Sequence, residues 1–512
     1  MELSIFNSRY QILSFQNDKV LGGVFIMEEK HEKTFFGQPH GLSTLFFTEM
    51  WERFSYYGMR AILLFYMYFA LDKGGLGFDK TTAMSVMAIY GSLVYLASVV
   101  GGWMSDRLWG SFKTVFIGGV LIMLGHIVLS IPMGATALFI SIALIVAGTG
   151  LLKPNVSEMV GSLYSENDRR RDAGFSMFVF GINLGSFVAP LVVGTIGMSF
   201  NFHIGFSLAA VGMFFGLIQY WRGRSQFNKE NSKPNDPIDA GELKSVIRKI
   251  VIGVIVIIAA VLALQFTGHL NIDNIVLAIS IVAIALPIIY FSRMLSSQKV
   301  TKKERSRVLA YIPLFIAAAV FWGIEESGSV VLALFAEDRT ILHLGSMHLA
   351  ASNFQSLNPF FIMLLTPFFV WLWSTWKKQP SAPGKFAVGL MFAGVSYMVM
   401  ALPGLLHGTA GRVSPFWLLG SWFIVEIAEM LISPIGLSIT TKLAPKAFQS
   451  QMMSMWFLAD AAGQAINAQL VRLYSPQTEI KYFLTIGIVS VIFGIILIFF
   501  VKPIHKLMEG VD

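Results

Sequence analysis

Four ionisable side chains crowd into one apolar stretch long enough to cross a bilayer. They are Glu49, Glu52, Arg53 and Arg60, in Glu49-Met50-Trp51-Glu52-Arg53-Phe54-Ser55-Tyr56-Tyr57-Gly58-Met59-Arg60. A charge in the hydrocarbon layer is costly unless it is paired or faces water, so such residues mark ion and substrate paths. At about 100° per residue, Glu49, Arg53 and Arg60 share a helical face and Glu52 lies close by. A salt-bridged stripe that glues this helix to a neighbour is the plainer reading. Four ionisable groups in so short a stretch weigh against it.

Other charges recur further along. Lys153 sits in Gly148-Thr149-Gly150-Leu151-Leu152-Lys153-Pro154-Asn155, with apolar turns before it and a proline after it that loosens the helix. A lysine there could snorkel, but its depth favours a functional role. Glu325 and Glu326 are adjacent, so they point about 100° apart and cannot face one cavity equally. Glu426 and Glu429 share a face at i, i+3 spacing, and Asp460 follows Trp456 in the next helix. A structural salt bridge is the competing reading for each, most of all for Glu426 and Asp460.

The signs do not balance. Seven intramembrane acids (Glu49, Glu52, Glu325, Glu326, Glu426, Glu429, Asp460) face three bases (Arg53, Arg60, Lys153), an excess of four carboxylates. They cannot all stay ionised in a low-dielectric cavity, so some carry protons during part of a working cycle. Proton coupling follows as an expectation.

These residues need helices to hold them. The chain has 512 residues, 55% hydrophobic and 13% charged, with a mean hydropathy of +0.66. Soluble domains carry nearly twice that charge. Apolar runs of bilayer length predict fourteen helices at 42–70, 81–104, 112–131, 136–160, 173–196, 202–221, 246–266, 272–292, 308–335, 354–376, 384–404, 415–438, 449–472 and 480–501. Lysine and arginine gather in alternate loops, which places both termini in the cytoplasm.

The net charge of +8 therefore reflects membrane orientation rather than nucleic-acid binding. No cysteine is present, so disulfides and thiol chemistry are excluded. No cleavable signal is evident, and Met27 resembles a natural start.

The expected organisation is an all-α membrane protein of two six-helix bundles, at 41–222 and 308–502. A linker and two-helix insert occupy 223–307. A poorly ordered N-terminal extension covers 1–40 and a tail covers 503–512. Six plus six suggests a two-halved transporter with its site at mid-membrane between the halves. The insert reads as peripheral. The turn Gly102-Trp103-Met104-Ser105-Asp106-Arg107 reads as a conformational latch, with Asp106 able to pair across a helix interface. No nucleotide-binding loop or catalytic triad is present in the sequence, which argues against an enzyme.

At these residues the chain resembles the proton-dependent oligopeptide transporters of the major facilitator superfamily. The likeness rests on the E-x-x-E-R-F-x-Y-Y-G element at Glu49 to Gly58. It also rests on the loop signature from Gly101 to Gly125, and on Phe175-Ser176-Met177-Phe178-Val179-Phe180-Gly181-Ile182-Asn183-Leu184-Gly185. The resemblance implies import of di- and tripeptides together with protons, in the cell inner membrane, by a monomer among lipid with no cofactor or metal.

It implies roles as well. Arg53 receives the peptide carboxylate with Lys153 in support, and Glu49 and Glu52 tune proton binding. Tyr57, Tyr95 and Asn183 supply hydrogen bonds. Glu429 holds the peptide ammonium with Asn358 at the same end, and Trp456 lines a side-chain pocket. Arg60 pairs with Glu326 as an outer gate that protonation releases. The family has a single acid where this chain has Glu325 and Glu326, and spacing favours Glu326 as the coupling acid. The alternative on the same fold is a carrier of nitrate or another small anion.

Overall fold

The computed structural model describes residues 34–165, 168, 170–227, 233–234, 236–345 and 347–511. The expected N-terminal extension lies outside the described residues as far as residue 33.

Helices dominate. The first group is α1 (Gly41–Tyr68), α2 (Lys80–Met104), α3 (Ser111–Leu129), α4 (Gly134–Ser162), α5 (Arg171–Ala189), α6 (Thr195–Ser199) and α7 (Phe202–Arg222). Next come α8 (Ala240–Phe266) and α9 (Ile272–Ser296). The last group is α10 (Lys302–Glu325), α11 (Val331–Arg339), α12 (Leu357–Thr375), α13 (Ala382–His407), α14 (Phe416–Lys442), α15 (Gln449–Leu470) and α16 (Glu479–Leu507). A turn of π-helix, Pro190–Gly194, carries α5 into α6, and a 3-10 turn, Glu326–Ser329, carries α10 into α11.

Among the described residues, twelve helical stretches are long and apolar enough to cross a membrane. The sequence predicts fourteen. The other two, α1 and α15, have the length, 28 and 22 residues. Their polar and charged side chains lower their hydropathy.

Some expected boundaries shift. The helix predicted at 308–335 begins at Lys302, under a capping box in which the Thr301 hydroxyl accepts from the Glu304 amide while Glu304 caps Thr301. The last helix runs to Leu507 rather than ending at Val501, and α8 begins at Ala240 beneath an Asp239 cap rather than at 246. The expected divisions at 307 and 502 thus fall inside helices. Apolar runs mark the hydrocarbon layer, whereas a capped helix continues into water with charged residues on its surface.

Within the first group α1 packs on α5 and α7, and α3 packs on α4 and α7. In the last group α13 packs on α14 and α16, and α10 on α15. The groups meet along α2 against α15 and along α5 against α12. Small residues let these backbones approach, as helix association in lipid requires. A Cβ on Gly101 of α2 would lie 1.9 Å from the Gly150 carbonyl oxygen of α4, which is backbone and cannot step aside. Gly101→Ala is expected to destabilise the protein by about 1–3 kcal/mol, measured as earlier thermal unfolding in detergent micelles.

The two-helix insert is less detached than the sequence suggests. The apolar α8 buries almost nothing, but α9 packs on both α15 and α2. Asp273 pairs with Arg472 at 3.0 Å, and Ser280 accepts from Gln469 at 3.0 Å. The linker before α8 is strapped to the π turn Ser105–Trp109 that follows α2. The amides of Asp236 and Ile238 donate to the carbonyls of Asp106 and Arg107 at 3.0 and 3.1 Å, and Arg107 pairs with Asp236 and Glu242.

Candidate functional site

Arg53 anchors the wall built by α1. Its Nε lies 2.6 Å from Glu52 and 3.0 Å from Glu49. All three side chains are buried, Glu52 completely. One terminal nitrogen of Arg53 is buried with no partner, as is the second oxygen of Glu49. Native structures rarely leave such groups unsatisfied, so the guanidinium is poised for a further anionic contact. The Tyr56 ring lies between two cations, 5.6 Å from the Arg53 guanidinium and 5.9 Å from that of Arg60.

Two turns along α1, Arg60 forms an ion pair with Glu326, joining the first helix group to the last. More bonds between the groups lie near this end. Lys80 meets Asp338 at 2.5 Å, Thr195 donates to Asn353 at 3.1 Å, and Ser356 donates to the Phe187 carbonyl at 2.8 Å.

Glu325 points elsewhere, as the 100° step between neighbours requires. The side-chain amide of Asn358 on α12 donates to Glu325 and to Glu426, at 2.7 Å each. Glu325, Glu426 and Glu429 each place a carboxylate oxygen within 4.8 Å of the other two, a set able to hold a cation. Glu426 is fully buried and its second oxygen has no partner. Between this cluster and the Arg60 pair lies a cavity of about 40 Å³, lined by Tyr57, Arg60, Glu325, Glu326, Gln355 and Asn358 among others. That is room for a few waters.

Lys153 has no carboxylate within ion-pair distance among the described residues. Its ammonium lies 3.9 Å above the Tyr95 ring of α2, and that ring stacks on Phe457 of α15 with centroids 6.5 Å apart. Trp456 on α15 presses where a Gly436 side chain would be and meets Trp322 edge-on at 6.2 Å. Asn183 donates to the Val179 carbonyl of its own helix at 3.0 Å and is nearly buried.

The predicted residues thus gather on facing helices. Glu49, Glu52, Arg53, Tyr57, Arg60, Tyr95, Lys153 and Asn183 come from the first group. Glu325, Glu326, Asn358, Glu429 and Trp456 come from the last. Asp106 stands apart, in the turn after α2.

This geometry has close counterparts. The POT family profile matches residues 112–489. A di-/tripeptide transporter of Lactococcus lactis subsp. lactis is 52% identical over 94% of this chain and 99% of its own length. The chain belongs to the POT family.

A peptide transporter of Yersinia enterocolitica is 35% identical over 93% of this POT chain and 97% of its own. Among solved structures, the peptide transporter POT in complex with sulfate superposes with a TM-score of 0.91 at 53% identity, covering 94% of this chain and 98% of that one. A POT family transporter in complex with 5-aminolevulinic acid gives 0.88 at 44%, covering 92% and 98%. The fold is therefore the all-α major facilitator fold that the sequence suggests.

Two acids near the site were not assigned roles from sequence. Glu426 had a signal, its i, i+3 spacing to Glu429, but Asn358 approaches it only because α12 packs on α14. Asp460 had its position one turn after Trp456, and nothing in the linear order shows that α2 packs on its helix.

Proposed function

We propose that this chain is a proton-coupled symporter that imports di- and tripeptides, by rocking of two six-helix bundles about a central chamber. One observation carries the reading: basic groups with donors to spare in the first helix group and a carboxylate cluster in the last. Arg53 keeps a buried donor free and Lys153 has no carboxylate within ion-pair distance among the described residues, while Glu325, Glu426 and Glu429 cluster in the other helix group. A zwitterionic peptide supplies a carboxylate to the first wall and an ammonium to the second. Charge-assisted bonds give affinity, and an unmet buried partner penalises a ligand that lacks either terminus.

The division of labour follows. Arg53 and Lys153 hold the peptide carboxylate, with Tyr57, Tyr95 and Asn183 beside it. Glu429 and Asn358 hold the ammonium, and Trp456 borders a side-chain pocket. Glu49 and Glu52 tune protons around Arg53. The Arg60–Glu326 pair, with Lys80–Asp338 beyond it, closes the outer side, so the arrangement described above is outward-closed. Proton binding to Glu326 releases that pair, and Asp106 belongs to the cytoplasmic latch.

In this reading fourteen helices cross the membrane, six in each bundle and two in the insert. Both termini are cytoplasmic, and the monomer needs no cofactor. The family relatives lend no support to the nitrate alternative, since a small anion needs no carboxylate cluster facing its cations.

Competition against uptake of a labelled dipeptide tests the assignment. Blocking either peptide terminus is expected to weaken competition by at least about tenfold, the worth of one charge-assisted bond. Glu429→Gln should abolish the penalty for an acetylated N-terminus but not that for an amidated C-terminus. Equal competition by nitrate, or indifference to blocked termini, would reject the reading.

A further inference from the structure

The two-helix insert touches both helix groups. Its second helix is fastened to the last group along its length. Near the start of α9, Asp273 pairs with Arg472 at 3.0 Å, and further along the buried Ser280 accepts from Gln469 of α15 at 3.0 Å. Near its end, Phe291 meets Phe315 of α10 edge-on at 5.3 Å and Tyr311 at 6.2 Å. α9 also lies on α2, so it covers the seam where the groups meet.

The first helix of the insert is fastened elsewhere. α8 buries almost nothing along its apolar length, and the segment that leads into it docks on the first group, at the turn Ser105–Trp109 after α2. Two backbone bonds set the register. The amides of Asp236 and Ile238 donate to the carbonyls of Asp106 and Arg107 at 3.0 and 3.1 Å. The Arg107 guanidinium, mostly buried, pairs with Asp236 before the Asp239 cap and with Glu242 after it. Gly110 completes the dock. Its φ of 77° and a Cβ that would lie 2.7 Å from the Lys233 backbone nitrogen both require glycine there. The insert therefore leaves from the first group and returns along the last. The short turn 267–271, with Gly268 at a φ of 72°, joins its helices.

Resting on the rocking of two bundles proposed above, we propose that this dock is a releasable latch on the cytoplasmic side. It ties the first group to the last through the insert while the outer side is closed, and it lets go when the outer side opens. The reason is mechanical. Rocking displaces the cytoplasmic end of α2 relative to the last group, and α9 travels with the last group. A strap that joins the two must open. Its acids, Asp236 and Glu242, face water, so the ion pairs part at small cost. Arg107 is a positioning residue, acting on the equilibrium between the two arrangements and not on the peptide.

The test uses the full chain, whose lack of cysteine allows thiols to be placed at chosen sites. Arg107→Cys with Asp236→Cys, joined by a short bifunctional methanethiosulfonate linker, holds the dock shut. Uptake of labelled dialanine into proteoliposomes is expected to fall at least about tenfold on crosslinking and to return on reduction. Equal uptake by the crosslinked and reduced protein would overturn the proposal, because a strap that never opens is only a brace.

The second arm needs no transport. Asp236→Asn with Glu242→Gln loosens the dock at exposed positions. Spin labels on Leu71→Cys and Phe416→Cys, both well exposed, report the separation of the two groups on the outer side. The loosened protein is expected to shift the ratio of outward-open to outward-closed forms by about 2–10-fold toward open, the worth of two exposed ion pairs. An unchanged distance distribution, or a shift toward closed, contradicts the latch. Should the crosslinking pair fail to assemble, this arm decides alone. It reads distance and not cargo, so a wild type that never accumulates dialanine counts against symport while the labels still decide the latch.

Discussion

Arg53→Ala is expected to reduce peptide uptake at least about 100-fold, the largest effect of any single substitution in the chamber. Two losses combine. The peptide carboxylate forfeits a charge-assisted contact worth about 1.5–3 kcal/mol. Glu49 and Glu52, both buried and both paired to the same guanidinium, are left with no compensating charge, a penalty of about 3–5 kcal/mol for breaking a buried pair from one side. Every 1.4 kcal/mol is about tenfold, so the first term alone approaches the threshold and the second exceeds it. Arg53→Lys should recover little, since an ammonium cannot reach two carboxylates and a ligand with the geometry of a guanidinium fork. Initial uptake rates in proteoliposomes, normalised to correctly folded protein, measure this. Retention of more than a tenth of wild-type uptake by Arg53→Ala would remove Arg53 from the site.

Glu326→Gln separates coupling from binding. The side chain keeps its shape and part of its hydrogen bonding to Arg60 but can no longer gain or lose a proton. In the proposed cycle Arg60 is clasped while Glu326 is ionised and released once it is protonated. Glutamine holds the released condition permanently. Accumulation against a gradient should then fall by about two orders of magnitude, because one state of the switch has lost its differential affinity for the proton. Exchange of labelled for unlabelled peptide, which needs no net proton movement, should remain within about threefold of wild type. Glu325→Gln should not reproduce this pattern, because Glu325 bonds to Asn358 rather than to Arg60. If the two variants behaved alike, the assignment of the switch to Glu326 would fail.

Much of this was legible in the sequence because lipid simplifies the problem. Apolar runs locate helices, and any charge within them demands a reason, so Arg53, Lys153 and Glu326 stood out before their neighbours were known. The direction of Glu325 away from the Arg60 pair follows from helical geometry alone.

What escaped depends on which helices touch. Glu426 reads as a structural acid until α12 brings Asn358 between it and Glu325. Asp460 reads the same way until the fold buries it on α15, where Gln464 donates to it at 2.7 Å and α15 packs on α2. The insert reads as peripheral because the apolar cores of α8 and α9 carry almost no charge, yet the strap from Arg107 to Asp236 and Glu242 joins segments far apart in the chain. Helix ends were misplaced wherever a capped helix runs past the apolar layer, as at Lys302 and Leu507.

The most direct test loads purified protein into liposomes that are alkaline inside and acidic outside, then follows a labelled dipeptide with time. The account predicts that internal peptide rises above its external concentration and returns to equality when a protonophore collapses the gradient. Accumulation that persists with the gradient abolished, or uptake that never exceeds equality while the gradient stands, would contradict the linkage of proton and peptide in one chamber.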